Sequence, residues 1–109
     1  MIISIIELIP TPEKRQAVLE ILRLTEDRAR IKAGCIECGV YEASDERGTI
    51  LYLERWRSSE DLHRHIRSSL YLGILNAMDL GQEAPEISFH EVSDTESMEL
   101  IEALRSSDG

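Results

Sequence analysis

The stretch TILYLERWR, residues 49–57, decides the fold, because its alternating side chains predict a β-strand with two different faces. One face would carry Leu51 and Leu53, and the other Tyr52, Glu54 and Trp56. The preceding residues 35–43, CIECGVYEA, predict a second strand. Only residues 44–48, SDERG, separate the two strands, and a short Asp/Gly turn of this kind joins strands into a hairpin.

On the N-terminal side of the hairpin, the sequence predicts a strand and then a long helix. Residues 2–9, IISIIELI, are apolar and rich in β-branched side chains, as expected of a strand that is buried on at least one face. A helix is predicted over 12–32, with Thr11 as its N-cap, Pro12 at its first position and Gly34 as its stop signal. Helical spacing places its inward face at Val18, Ile21, Leu22, Thr25 and Ala29.

A second helix is predicted to begin after the hairpin, with Ser58 as its cap and Asp61 at the capping-box position. Its inward face would carry Leu62, His65, Ile66 and Ser69, and its outward face His63, Arg64 and Arg67. The apolar run 70–80 continues the helix, with a kink predicted at Gly73 and an end at Gly81. Residues 86–92, EISFHEV, predict a fourth strand, and residues 93–109 predict a short helical extension and tail.

The resulting order β-α-β-β-α-β is that of a ferredoxin-like α+β fold, with a four-stranded antiparallel sheet and both main helices on one face. The other face of the sheet needs a cover, and a chain of 109 residues has no third layer to supply it. The predicted cover is the same face of a second copy, related by a two-fold axis, with Tyr52 and Trp56 in the interface. The sequence therefore predicts a homodimer.

The charge and hydropathy of the chain argue against several classes of partner. Twenty-one acidic and twelve basic residues give a net charge of −9, with no uninterrupted basic cluster, so nucleic acid is not an expected partner. No stretch reaches the ~20 apolar residues that span a bilayer, and the N-terminus lacks the basic region of a signal peptide. We therefore expect a soluble, cytoplasmic protein that binds neither nucleic acid nor membrane.

Cys35 and Cys38 form a Cys-x-x-Cys motif, which occurs in zinc sites and in redox pairs. A zinc site needs two further ligands, and no suitably spaced cysteine or histidine pair follows in the sequence. A redox pair would sit where a helix begins, whereas these residues lie in a predicted strand, where positions three apart face opposite sides. We therefore predict two reduced thiols and no metal.

Several short motifs, in their order and spacing, resemble the antibiotic-biosynthesis monooxygenase (ABM) family, which includes the quinol monooxygenases. Residues 51–75, LYLERWRSSEDLHRHIRSSLYLGIL, carry most of the likeness, through Glu54-x-Trp56, a Ser/Glu-rich cap, His65 and Ser68-Ser69-x-Tyr71. The AGC at 33–35 and the PEISFHEV at 85–92 are similar to the family's entry into strand two and to its last strand. The resemblance covers residues 1–92, and residues 93–109 look like an extension seen in some members.

This resemblance implies a dimeric α+β barrel with a pocket in each subunit between the helices and the sheet. Characterised relatives oxidise polyketide or quinol substrates with oxygen and without metal or flavin. The expected function is therefore a cofactor-independent monooxygenase for a small quinol-like, polyphenolic or polyketide substrate. The alternative is a non-enzymatic dimer that binds a small ligand or serves as an accessory protein, because the sequence shows no paired carboxylates, no nucleophile–base motif and no phosphate loop.

Five residues are the candidates for the site. As catalytic residues, His65 would accept the substrate proton and Tyr71 would orient the substrate oxygen. Trp56, Tyr52 and Glu54 would line the substrate pocket. Three of them have a structural alternative: His65 as a core histidine that hydrogen-bonds Glu54, Trp56 as a filler of the dimer core, and Glu54 as partner in a cross-subunit or helix-cap hydrogen bond.

Two other activities of similar proteins are disfavoured by the sequence. Haem-degrading relatives use a histidine late in helix two, a tryptophan earlier in that helix and an asparagine in strand one. The corresponding positions here are Leu75, His65 and the apolar or acidic residues of 2–9. A phosphosugar isomerase is disfavoured by the negative charge of the chain and by the lack of a phosphate cradle.

Overall fold

The structure is a computed structural model that describes residues 1–107, so residues 108–109 of the predicted tail lie outside the described part. The chain forms β1 (Ile2–Leu8), α1 (Arg15–Ala29), β2 (Cys35–Glu42), β3 (Ile50–Trp56), α2 (Ser59–Arg67), α3 (Tyr71–Asp79), β4 (Glu86–Glu91) and α4 (Met98–Ser107). The strands form one antiparallel sheet in the order β2-β3-β1-β4. This is the predicted ferredoxin-like α+β architecture, with an additional C-terminal helix.

The strict alternation predicted for β3 is present, and it separates the two faces of the sheet. Residues 50, 52, 54 and 56 are buried, whereas residues 51, 53 and 55 are only partly buried. The buried positions of β1 lie opposite them, since Ser4 pairs with Glu54 and Ile6 with Tyr52. The inner face of β3 therefore belongs to the core under the helices.

The predicted position of Tyr52 and Trp56 in a subunit interface is wrong. Both side chains have an exposed fraction of 0% within a single chain. Tyr52 belongs to the core cluster that includes residues of α1 and α3, and Trp56 packs with Leu62 of α2. The face without helices instead carries Ile5 and Leu53, which pair across β1 and β3, with charged side chains such as Glu7 and Arg55 on either side of them.

The predicted inward face of α1 is confirmed, but the helix begins later than predicted. Residues 12–14 form a turn in which the Lys14 amide donates to the Thr11 carbonyl, and the helix begins at Arg15 without a side-chain cap. The end is close to the prediction, because Gly34 adopts a φ of 84°, which only glycine accepts readily. The chain thereby turns from the helix directly into β2.

The break between the second and third helices lies at Ser68, not at Gly73. Ser68 has an extended backbone at φ −77° and ψ 159°, which ends α2 and changes the direction of the chain before α3 begins. Gly73 lies inside α3, where a Cβ atom would stand 3.1 Å from Oγ1 of Thr25. The glycine therefore permits close packing of α3 on α1 rather than a bend. The predicted Ser58 cap is confirmed, since its hydroxyl accepts from the Asp61 amide.

The C-terminal helix α4 stands apart from the domain. Its large apolar side chains are exposed, at fractions between 43% and 61%, and these are Met98, Leu100, Ile101 and Leu104. Among the helices of residues 1–107, none is long and apolar enough to cross a membrane.

Candidate functional site

Glu54 is the centre of a buried polar network between β3 and α2. Its side chain, in a residue only 1% exposed, accepts three hydrogen bonds within the chain. Tyr52 Oη donates to Oε2 at 2.8 Å, Trp56 Nε1 donates to Oε1 at 3.1 Å, and His65 Nε2 lies 2.8 Å from Oε2. These three donors replace the water that the carboxylate has lost on burial. The alternative of a cross-subunit or helix-cap bond for Glu54 is wrong, because its partners are in its own sheet and in α2.

Local structure places these groups together for simple reasons. Alternation along β3 directs Tyr52, Glu54 and Trp56 to the same side of the sheet, two residues apart. The Ser58 cap starts α2 immediately after β3, so that Leu62 and His65, three residues apart, face the sheet. His65 is thereby held directly over Glu54, which confirms the predicted hydrogen bond between them.

Lys32 determines which nitrogen of His65 carries the proton. Its Nζ atom lies 3.0 Å from His65 Nδ1 and donates to Ser68 Oγ at 2.8 Å, while that hydroxyl donates to the His65 carbonyl oxygen at 2.6 Å. An ammonium group can only donate, so Nδ1 accepts and Nε2–H donates to Glu54. The arrangement is a chain of ammonium, neutral imidazole and carboxylate.

The electrostatics of the network follow from burial and from the Glu54 charge. Desolvation lowers the pKa of Lys32, and the negative charge of Glu54 partly opposes this shift. Desolvation, followed by the same negative charge, raises the pKa of Tyr71 to about 12 and raises that of Tyr52 as well. Both tyrosines are therefore protonated at neutral pH and serve as hydrogen-bond donors or as ring contacts.

His65 is enclosed by two aromatic rings. Trp56 lies against one side, with ring centroids 4.7 Å apart, and Tyr71 presents its edge at 5.3 Å. Every buried polar side-chain atom in the described part of the chain has a hydrogen-bond partner. The Tyr71 hydroxyl has no hydrogen bond within residues 1–107, so it belongs to the accessible atoms and not to the buried network.

Cys38 extends the network at the end away from Lys32. Its thiol donates to Tyr52 Oη at 3.1 Å, and burial raises its pKa to about 12. The prediction that Cys35 and Cys38 face opposite sides is wrong, because a bulge between residues 35 and 37 shifts the register of β2. Cys35 therefore pairs with Trp56 and Cys38 with Glu54, on the same side of the sheet. Both are free thiols, as predicted.

Glu54 itself is shielded from solvent, and cavities border the network at the Lys32 end. A cavity of about 230 Å³ lies between α2 and the α1–β2 connection, and its lining includes His65, Trp56, Ser68 and Lys32. A larger groove of about 710 Å³ lies on the other side of Lys32, between α1 and α3. Within residues 1–107, no group of three or more His, Cys, Asp or Glu side chains is placed to hold a metal ion.

Four of the five predicted site residues form the network or stack on it, and Tyr71 contacts it through its ring. Sequence reasoning missed Lys32, which is 33 residues from His65 in the chain, and it also missed the role of Cys38. One signal was available for Lys32: it is one of only two lysines in a chain that otherwise uses arginine as its cation. It also directly precedes the AGC segment that carried part of the family resemblance.

The ferredoxin-like sheet with its helices is an α+β fold that solved structures of other proteins share. A Deinococcus radiodurans protein described as a putative antibiotic biosynthesis monooxygenase superimposes with a TM-score of 0.80 at 21% identity, over 89% of this chain and 97% of that one. A Mycobacterium tuberculosis protein superimposes with a TM-score of 0.79 at 25% identity, over 88% and 98% of the two chains. A Nitrosomonas europaea protein of the same description has a TM-score of 0.76 at 16% identity, over 86% and 100%.

The sequence model of the family described as antibiotic biosynthesis monooxygenase matches residues 1–76, which include β1 to α3 up to Asn76. The chain belongs to this family. Comparison with curated protein sequences gave no match.

Proposed function

We propose that this protein is a cofactor-independent monooxygenase that oxidises a small quinol-like or polyphenolic substrate with molecular oxygen, and that it works as a homodimer. The observation that carries the proposal is the position of His65, held between the buried Glu54 carboxylate and Lys32 at the edge of a cavity. A phenol reacts with oxygen far more readily once it has lost its proton. The protein's task is then to remove that proton and exclude water.

The geometry supports His65 as the proton acceptor in this reaction. Its Nε2–H is fixed on Glu54, so a proton taken up at Nδ1, once Lys32 has moved away from that atom, creates an imidazolium that pairs with the buried carboxylate. The Nδ1 side is also the side on which Lys32 and the cavities lie. Trp56 holds the imidazole ring in place, and the Tyr71 hydroxyl is free to bond a substrate oxygen.

The test is oxygen consumption with a hydroquinone under air, in the presence of a metal chelator and without added flavin. We expect turnover by the wild-type protein and a loss of at least about tenfold in His65→Ala, because a general base contributes roughly 10²–10⁴-fold to the rate. His63→Ala is the matched control, because His63 is an exposed histidine on the same helix. Equal rates in wild type and His65→Ala would remove His65 from the mechanism.

A second candidate function is binding of a small ligand without turnover. It is favoured by the groove between α1 and α3, which has a volume of about 710 Å³, in the range usual for ligand sites, and whose lining does not include His65. Thermal-shift measurements with quinones and polyketides distinguish the two functions when combined with an oxygen electrode. Stabilisation by such ligands without oxygen uptake would support the binding protein and contradict the enzyme.

A further inference from the structure

The last strand of the sheet, β4, keeps apolar side chains exposed on the side where the helices lie. Phe89 and Ile87 pair with Ser4 and Ile6 of β1, and both of these β1 residues are buried on the helical side. Side chains of directly paired residues point to the same face of a sheet, so Ile87 and Phe89 also lie on the helical side. They are nevertheless 45% and 48% exposed, because α1 packs on β2 and α2 packs on β3.

A groove of about 320 Å³ lies between this strand and α2, and we call it the β4–α2 groove. Its apolar lining consists of Ile2, Leu62, Ile66 and Phe89. Ile2 and Leu62 form a core cluster with Trp56, and Ile66 packs against that cluster. An apolar side chain that occupied the groove would therefore extend this cluster.

The C-terminal helix α4 carries an apolar side that its own domain leaves exposed. Leu100 and Ile101 lie on one side of the helix, whereas Glu99 and Glu102 lie on the other. The helix has ten residues, and a helix of this length is marginal in water unless its apolar side packs on another surface. A surface that receives Leu100 and Ile101 would therefore stabilise α4.

The charges at the rim of the groove are complementary to those of α4. The α2 side of the rim carries His63, and Arg67 follows one helical turn later. Arg67 is exposed and forms no ion pair within residues 1–107. The β4 side of the rim carries Glu91. Helix α4 has Glu99 in its first turn and Arg105 in its last, so it can offer an opposite charge to each end of the groove.

The direction of these charges distinguishes a second copy from the same chain. Strands β3 and β4 end at the same edge of the sheet, since Trp56 and Glu91 both pair with Ile2. Helix α2 follows β3 at once, so it runs from the Glu91 end of the groove towards Arg67. A helix that entered directly from its own β4 would place Glu99 beside Glu91, where like charges repel. A helix that enters from the other end places its last-turn arginine there instead.

We propose that the β4–α2 groove is the docking site for α4 of a second copy of this chain, and that two copies exchange these helices reciprocally. Leu100 and Ile101 pack on Ile66 and Phe89, and the helix lies antiparallel to α2. Because the copies are identical, each α4 that leaves its own domain meets the same groove on the other copy, and the exchange closes on itself. The inference rests on the proposed homodimer, which supplies the second copy, and adds a contact on the helical side of the sheet.

The docked helix would also hold α2, which carries His65, against the sheet. Leu62 belongs to the groove lining and precedes His65 by one helical turn. Trp56 packs with Leu62, and its ring lies 4.7 Å from that of His65. Side chains of α4 in the groove therefore add to the packing that fixes the position of His65.

The experiment crosslinks two single-cysteine variants of the full-length chain with a flexible bismaleimide, in a Cys35→Ser background that removes the half-buried native thiol. One variant carries Ile101→Cys on α4, and the other carries Ser59→Cys, at an exposed serine of the groove lining. When the two are mixed and allowed to exchange subunits, we expect crosslinked pairs to form at least about tenfold faster than by random collision, because docking raises the effective concentration of the thiols to roughly millimolar. Ser69→Cys is the matched control, since Ser69 is an exposed serine that lines the groove between α1 and α3 instead.

A chain that carries both Ile101→Cys and Ser59→Cys tests for docking within one chain. Reciprocal exchange predicts a crosslinked dimer from this variant. A crosslink that closes within a single chain would overturn the inference, because α4 would then occupy its own groove. Equal crosslinking rates for Ser59→Cys and Ser69→Cys would also overturn it.

A charge on the apolar side of α4 provides a second measurement. Ile101 is 52% exposed, so Ile101→Glu retains the fold, and it should raise the dissociation constant of the dimer about tenfold because the glutamate is desolvated in the groove. Ser106→Glu, at an exposed position on the polar side of the same helix, should leave the constant unchanged. An unchanged constant in Ile101→Glu would contradict the docking of α4.

The outcomes separate this inference from the proposed homodimer of sheet faces. A wild-type dimer without crosslinks between Ile101→Cys and Ser59→Cys would support the sheet-face dimer and contradict the exchange of α4. Crosslinks that persist at the same rate after Leu53→Glu, on the helix-free face, would support the exchange and contradict the sheet-face contact.

Discussion

The imidazole of His65 and the carboxylate of Glu54 meet at 2.8 Å, and both residues are only 1% exposed within a single chain. A buried carboxylate is stable only when donors replace the water that it has lost. Here the donors come from its own strand and from α2, so the helix and the sheet are joined by the same polar network that borders the cavities. The network is therefore part of the core of the domain and also borders its cavities.

Replacing Glu54 with glutamine should destabilise the fold by about 3 kcal/mol, because a buried pair is broken while its partners remain. The new amide group can face either Trp56 Nε1 or His65 Nε2, and in both cases two donors point at each other. Urea unfolding measures the loss. Glu37→Gln is the control, since Glu37 forms a partly exposed ion pair with Arg55 and its loss should cost under about 1 kcal/mol. Equal losses in both variants would contradict the central role of Glu54.

The protein should lose stability between about pH 9 and pH 12. Burial raises the pKa of Cys38 from 9.0 to about 12 and that of Tyr71 from 10.0 to about 12, and Tyr52 shifts in the same direction. The folded state then holds more protons than the unfolded state above pH 9, so the free energy of unfolding falls as pH rises. Lys32 has the opposite effect on stability. Its pKa is lowered in the folded protein, so the folded protein releases this proton at a lower pH than the unfolded chain does.

The contribution of Cys38 to the fall in the free energy of unfolding at high pH can be measured separately. Unfolded tyrosines ionise only near pH 10, so the decline just above pH 9 comes from the thiols. In Cys38→Ser the hydroxyl can replace the thiol as donor to Tyr52, and the decline between pH 9 and pH 10 should be smaller than in wild type. Chemical unfolding at half-unit steps of pH provides the measurement. If the free energy of unfolding fell equally with pH in both proteins, Cys38 would not contribute to the decline.

The outcome of sequence reasoning differed between local and long-range features. The two faces of β3, the Ser58 cap and the bond between Glu54 and His65 were predictable, because each depends on residues close in sequence or on strand alternation. The wrong assignment of Tyr52 and Trp56 to an interface came from the choice of face. Alternation separates the two sides of a strand, but the pattern of one strand does not show which side the helices cover.

Other features depend on contacts that a pattern does not contain. A glycine such as Gly73 predicts a break in a helix, but here it allows Thr25 of another helix to pack closely against α3. The bulge in β2 reverses the face of one cysteine, and nothing in CIECGVYEA marks its position. Lys32 reaches His65 only after α1 has packed on the sheet, so its partner is invisible in the sequence.

The two thiols should react at different rates in the folded protein. Cys35 is half-buried, whereas Cys38 is 2% exposed and bonded to Tyr52. A disulfide reagent such as DTNB should therefore modify one thiol in the native state and the second only on unfolding. Cys35→Ser should remove the faster reaction, and Cys38→Ser should leave it intact. Rapid modification of both thiols in the native protein would show that Cys38 is accessible.

The proposed homodimer is tested on the face of the sheet that carries no helix. Ile5 and Leu53 are paired there across β1 and β3, and both are partly buried in one chain. A glutamate at the centre of a paired apolar face must be desolvated without a partner, so Leu53→Glu should convert the dimer into a monomer. Sedimentation velocity distinguishes 12.4 kDa for one chain from twice that mass. Ile31→Glu, at a residue that is 86% exposed on the helical side, should leave the dimer intact.

Trp56 is not in the proposed interface, so its fluorescence reports on folding and not on association. Trp56 is shielded by its own chain, at an exposed fraction of 0%, and so iodide should fail to quench it in the dimer and in a folded Leu53→Glu monomer alike. Quenching in the variant would mean that the substitution has unfolded the domain. A wild-type protein that sediments as a single chain at micromolar concentration would contradict the homodimer, because Ile5 and Leu53 would then lie on a face that nothing covers.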